Sequence, residues 1–117
     1  MQSDVLITTP VEDILLITIS QEKLYQDLVD VFQCDMMKLV NTGHRYMVMD
    51  LTNVKLINSS GLGVMILVSD ILEKCGGKMV VMGLGPLMSD LFERMQLDRV
   101  FPIFEDRESA LKSFKNI

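Results

Sequence analysis

Ile57-Asn58-Ser59-Ser60-Gly61-Leu62-Gly63-Val64-Met65 decides how this chain folds. The stretch follows an apolar, strand-like run, Tyr46-Met47-Val48-Met49-Asp50-Leu51, and opens an apolar helical pattern predicted over Ser60 to Cys75. A strand that feeds a helix through a short polar turn puts that turn at the carboxyl end of a sheet, where α/β proteins most often build their sites. Asn58, Ser59 and Ser60 all carry side-chain oxygens able to accept from the free N–H groups of a first helical turn. Gly61 and Gly63 leave little bulk at the helix start, so a backbone, a nucleotide or a partner protein can come close. A phosphate on Ser59 would lie where helix N-termini favour anions, so modification need not unfold the domain and would be felt by whatever docks there.

Outward from the turn, the Tyr46–Leu51 run is apolar almost without interruption, as expected of a central strand covered on both faces. The following helix is apolar nearly all round. Leu62, Met65, Ile66 and Leu72 form one stripe, and Val64, Leu67, Val68 and Ile71 form another. One stripe satisfies the sheet; the other serves a second helix, a partner or a weak homodimer. Gly76-Gly77 ends the helix, Lys78 to Met82 reads as a strand, and Gly83-Leu84-Gly85-Pro86 turns into a helix over Pro86 to Met95 with proline at its start. Arg99 to Phe104 reads as a short final strand at an edge, because of Pro102, and Asp106 caps a last helix containing Ala110, Leu111 and Phe114.

Upstream, Val5–Thr8 and Ile14–Ile19 read as strands joined by a Thr9-Pro10-Val11-Glu12-Asp13 turn, hence an antiparallel hairpin. From Glu22 to Val40, the apolar residues Leu24, Leu28, Val31, Phe32, Met36, Leu39 and Val40 recur at helical spacing, until Asn41-Thr42-Gly43 stops the pattern. The order β-β-α-β-α-β-α-β-α predicts an α/β domain spanning residues 1–117. Its mixed sheet begins with an antiparallel hairpin and continues in β-α units, with about four helices packed mainly on one side.

The residues around the turn carry a resemblance. Asn58-Ser59-Ser60-Gly61-Leu62-Gly63, preceded by Val48-Met49-Asp50-Leu51 and followed by Gly76-Gly77-Lys78-Met79-Val80-Val81, resembles the STAS domain of bacterial anti-sigma factor antagonists. In that family the usual pattern is Asp-Ser-Ser/Thr-Gly-Leu-Gly, and the serine directly after the aspartate is the phosphoacceptor; by position it is Ser59, not Ser60. The chain departs from the pattern twice. Asn58 stands where the family usually has Asp, and Ser20-Gln21-Glu22-Lys23-Leu24 replaces a Gly-Glu-Leu-Asp-like segment that in the family lies near the phosphorylation site.

The resemblance implies a partner-switching protein. Its unphosphorylated form binds an anti-sigma factor of the histidine-kinase-like ATPase fold through Asn58, Ser59, Ser60, Gly61, Leu62 and Gly63, releasing a sigma factor. The same partner, acting as serine kinase, phosphorylates Ser59, and a PP2C-type phosphatase restores the hydroxyl. The chain is then a substrate and a binder, with no catalytic residue, cofactor or metal of its own, and cytoplasmic. Alternatives stand beside this reading: Ser59 as a plain helix cap, a non-phosphorylated STAS scaffold or transporter module, or an enzyme or ligand carrier lined by some of the ten methionines.

Composition narrows the choice. A 117-residue chain with 49% hydrophobic and 23% charged residues suits one globular domain, and a net charge of −5 without a basic cluster speaks against nucleic acid. No apolar run approaches the roughly 18 residues of a membrane span. Cys34 and Cys75 lack metal-site spacing and read as ordinary reduced core or helix residues, and His44 has no partner set for catalysis and reads as a loop residue. Gly83 and Gly85 lack the spacing of a phosphate loop or dinucleotide site, so nucleotide binding is not expected.

Overall fold

The three central strands of the sheet sort their side chains by parity. In a computed structural model that describes residues 3–115, β2 (Ile14–Ile19), β4 (Tyr46–Asp50) and β6 (Lys78–Met82) run parallel to one another, with Leu16 opposite Val48 and Val48 opposite Val80. Leu15, Ile17, Met47, Met49, Met79 and Val81 enter one core; Leu16, Val48, Val80 and Met82 enter a second, on the other face. Covering both faces is what the uninterrupted apolar runs required.

The sheet has five strands in the order β1-β2-β4-β6-β7, with β1 (Leu6–Val11) antiparallel to β2 and β7 (Ile103–Phe104) parallel to β6. Helices α1 (Asp27–Asn41), α2 (Ser59–Lys74) and α3 (Pro86–Arg94) supply the larger core through residues such as Phe32, Met65 and Phe92. Helix α4 (Arg107–Lys112) covers the other face through Ala110, with Phe114 just beyond its end. There the rings of Tyr46 and Phe114 meet edge to face at 5.9 Å, with Lys78 Nζ 5.6 Å above Phe114. The opening hairpin, the β-α alternation and the helices mainly on one side are as the sequence predicts.

Three local expectations are corrected. Thr9, Pro10 and Val11 belong to β1, and the turn shrinks to Glu12-Asp13, with Glu12 at φ 56°. Pro10 is tolerated because β1 is an edge strand. The first helix begins at Asp27 rather than near Glu22, because Lys23–Leu24 forms a two-residue strand, β3, paired in parallel with β5 (Leu56–Ile57). Leu24 is fully buried from that strand, so its four-residue spacing to Leu28 only mimics helical periodicity. The final strand is confined to Ile103–Phe104, since Leu97–Arg99 coil into a 3-10 turn that buries Leu97. Cys34 and Cys75 are exposed free thiols: Cys34 lies on the outer side of α1, and Cys75 follows the last residue of α2.

Methionine serves as packing. Met36, Met47, Met49, Met65, Met79 and Met88 are all buried in the main core, where an unbranched side chain fills irregular gaps. Among the described residues, no helix is long and apolar enough to cross a membrane.

Candidate functional site: the amino end of helix α2

The turn is held from both sides by backbone. Leu51 N–H donates to Met82 O at 3.0 Å, tying the exit of β4 to the end of β6. Asp50 Oδ1 accepts from Thr52 N at 2.9 Å and also from the Thr52 hydroxyl, while Thr18 Oγ1 donates to Asp50 Oδ2 at 3.4 Å. One carboxylate at the carboxyl edge thus fastens the ends of β2 and β4 and the start of the crossover. Further along, Lys55 N and Leu56 N both donate to Glu22 O (2.7 and 3.1 Å), and Asn58 N donates to Leu24 O at 3.1 Å. The Ser20–Leu24 segment therefore abuts the turn, as the resemblance implies, and fixes where α2 starts. The Lys55–Glu22 ion pair at 3.4 Å is largely exposed and adds little to this.

Asn58 is the N-cap: its backbone is extended (φ −76°, ψ 173°) and its Oδ1 accepts from Gly61 N at 2.9 Å. The capping role that the sequence allows to three residues falls to Asn58 alone. Ser59 and Ser60 are the first two helical residues, and both are exposed. Gly61 and Leu62 turn inward and are buried, whereas Gly63 faces solvent. One turn on, Ile66 and Leu67 are 38% and 43% exposed, while Met65, Val68 and Leu72 are buried. The sheet and α1 thus take most of both predicted stripes and leave an outward face made of Ser59, Ser60, Gly63, Ile66 and Leu67.

No acidic residue sits in the first turn of α2, so the positive end of its dipole is uncompensated by its own sequence. Toward its far end, Asp70 pairs with Lys74 at 2.9 Å, and this hydrogen-bonded contact raises the lysine above its ordinary value.

Two clefts, of about 480 and 460 Å³, lie at the opposite end of the sheet, around Ile14, Tyr46 and Phe114 and around Glu73, Lys78 and Arg99. His44, beyond the end of α1, is on that same side, two residues before β4 begins. No group of three histidine, cysteine or acidic side chains that could hold a metal occurs among the described residues. What the arrangement can do is present a hydroxyl on a positive helix end beside a small apolar patch.

The sequence pattern of the STAS domain matches residues 6–110, and the chain belongs to that family. Over 76 residues it is 36% identical to BtrV of Bordetella bronchiseptica, which is named as an anti-sigma factor antagonist; the match covers 65% of this chain and 66% of the relative's length. Among solved structures, an anti-sigma factor antagonist from Mycobacterium paratuberculosis superposes with a TM-score of 0.83 at 18% identity, covering 92% of this chain and 91% of that one. The Bacillus cell-fate determinant SpoIIAA, in its phosphorylated form, superposes with a TM-score of 0.73 at 15% identity, covering 94% of this chain and 99% of that one. At such identities the superpositions show a shared fold.

Proposed function

We propose that this protein is an anti-sigma factor antagonist switched by phosphorylation of Ser59. Unphosphorylated, it binds an anti-sigma factor of the histidine-kinase-like ATPase fold through the outward face of α2 and thereby frees a sigma factor for transcription. The partner then transfers the γ-phosphoryl group of ATP to Ser59 Oγ, ADP leaves, and the hydroxyl proton passes to a base of the partner. A PP2C-type phosphatase reverses the step by hydrolysis. The chain is a cytoplasmic binder and substrate, not a catalyst.

The observation that carries this reading is the division of labour between Asn58 and Ser59. Because Asn58 caps the helix, the Ser59 hydroxyl has no capping duty and stands exposed at the first helical position. The positive helix end tolerates a phosphate there, so the fold survives modification. The contact does not, since a charge of about −1.5 to −2 placed against a partner brings repulsion and desolvation. Ser59, Ser60 and Gly63 would touch the partner, while Asn58, Gly61 and Leu62 hold the turn in shape.

The test uses purified histidine-kinase-like anti-sigma factor from the same cells. Wild type and Ser59→Ala should bind it, Ser59→Glu should not, and intact mass after incubation with ATP should rise by one phosphate in the wild type only. The departure at Ser20–Leu24, which abuts Asn58, favours a second reading: a constitutive STAS scaffold. Equal binding by all three forms and no phosphate on Ser59 would establish that reading instead.

A further inference from the structure

Helix α4 covers only part of its side of the sheet. A helix shades a strip about 10 Å wide, whereas five strands span roughly 19 Å, and α4 packs mainly over β4, β6 and β7. The last residue of β1 and the first residues of β2 and β4 stand in register, Val11 opposite Ile14 and Ile14 opposite Tyr46, so their side chains form one row on that side. Ile14, Tyr46 and Leu111 of α4 are half-buried, and they line the cleft of about 480 Å³ together with the Glu12-Asp13 turn. Its apolar groups are in the hollow and its charges on the rim. None of the large exposed hydrophobic residues of the chain lines it. That is the size and anatomy of a small-ligand site. A second copy or a partner protein would instead need roughly 800 Å² of surface from each side.

The rim decides which charge fits. Glu108 is paired with Lys112 at 2.9 Å, which leaves Lys115 as the free ammonium on the helix side. On the hairpin side, Glu12 and Asp13 have no cationic partner among the described residues. Glu12 is also an unexpected residue for its place. It holds φ at 56° in the first position of a two-residue hairpin turn, and Asp13 after it does not share the positive φ. Glycine is the usual residue at such a position, because it meets no strain there. The turn therefore keeps a carboxylate at a conformational cost that the hairpin does not require. We infer that the cleft between the β1–β2 turn and α4 binds a small cationic amphiphile, an amine whose apolar or aromatic body lies on Ile14, Tyr46 and Leu111 and whose ammonium reaches Glu12 and Asp13. Aromatic faces favour cations, and the fold already uses this beside the cleft, with Lys78 Nζ 5.6 Å above Phe114. Lys115 on the far wall turns the positive end of the ligand toward the hairpin. The site lies at the opposite end of the sheet from Ser59 and stands whether or not Ser59 is a switch.

The experiment titrates the isotope-labelled full chain with three probes of one shape, phenethylammonium, 2-phenylethanol and 3-phenylpropionate, and follows NMR shifts. Phenethylammonium should move the signals of Ile14, Tyr46 and Leu111 and bind about three- to fivefold tighter than the alcohol, the worth of an exposed ion pair. The carboxylate should bind weakest. Glu12→Gln combined with Asp13→Asn should abolish the preference for the amine. Glu12→Gly should keep or raise Tm and still weaken the amine by about twofold or more, which separates ligand binding from folding. Equal affinity for all three probes would overturn the inference by reducing the cleft to an apolar crevice, and a preference for the carboxylate would overturn its charge. Shifts of the same residues that grow with protein concentration, without any probe, would overturn it in favour of a second copy. No shift with millimolar amine, in protein that the same spectra show to be folded, would overturn it outright.

Discussion

Gly61→Ala is the substitution that tests most directly how the amino end of α2 is built. The added methyl would sit 2.6 Å from Ile57 Cγ2, 3.5 Å from Asn58 Oδ1 and 3.7 Å from Leu24 Cδ2. Only the first distance is forbidding, but Ile57 cannot yield easily. It is β-branched, hence stiff at χ1, it is 1% exposed, and its backbone is paired with Leu24 in the β3–β5 ladder. Overpacking a well-filled site costs about 1–3 kcal/mol. Against this, alanine gains at most about 1 kcal/mol over glycine in helix propensity. A contact as short as 2.6 Å puts the cost in the upper part of that range, about 2–3 kcal/mol, so the net expectation is a loss of about 1–2 kcal/mol, out of a total stability of about 5–15 kcal/mol for a domain of this kind. The assay is urea unfolding followed by circular dichroism, where the midpoint should fall with little change in slope. Ile57→Ala removes the opposing carbon, so adding Gly61→Ala to that background should be neutral or stabilising, a coupling of at least about 1 kcal/mol. A Gly61→Ala protein as stable as the wild type, or an equal loss in both backgrounds, would refute the steric account.

Two further outcomes follow from the helix caps. Asn58→Ala should cost about 1 kcal/mol by leaving Gly61 N–H unpaired, whereas Asn58→Asp should keep the cap and match or slightly exceed wild-type stability in the same urea assay. At the other end of the chain, Asp106 accepts from Ser109 N at 2.8 Å, and that bond holds its carboxyl below the usual value near 3.8. A carboxyl depressed in the folded state adds stability that is present above the unfolded value and lost as pH falls through the folded one. Asp106→Asn should therefore flatten the decline in stability between about pH 4 and the acid limb, which acid titration of unfolding measures; an unchanged acid dependence would count against this role.

Much of this was legible along the chain because it depends on neighbours in sequence. The apolar runs at Ile14–Ile19, Tyr46–Leu51 and Lys78–Met82 could only be covered strands. Asn58 followed by serines and a long apolar period marked a helix start, and Asp106 marked the last one. The STAS resemblance rested on those same residues, and the family match extends over most of the chain.

What sequence alone left open was decided by contacts between distant segments. Leu24 suits the helical period of the residues after it, but pairing with Ile57 makes it a strand residue, because only the folded chain brings Glu22 O within reach of Lys55 N and Leu56 N. Cys34 and Cys75 are of a type that usually buries, yet Cys34 lies on the outer side of α1 and Cys75 at the exposed end of α2. Asn58, Ser59 and Ser60 were all candidates for the cap until the path of the crossover aimed Asn58 Oδ1 at Gly61 N. Gly61 and Gly63 are the same residue two positions apart, and composition cannot tell them apart. A helix turns by about 200° over two residues, so Gly61 faces Ile57 and Gly63 faces solvent. The tertiary packing alone determines which glycine the fold requires and which is left open at its surface.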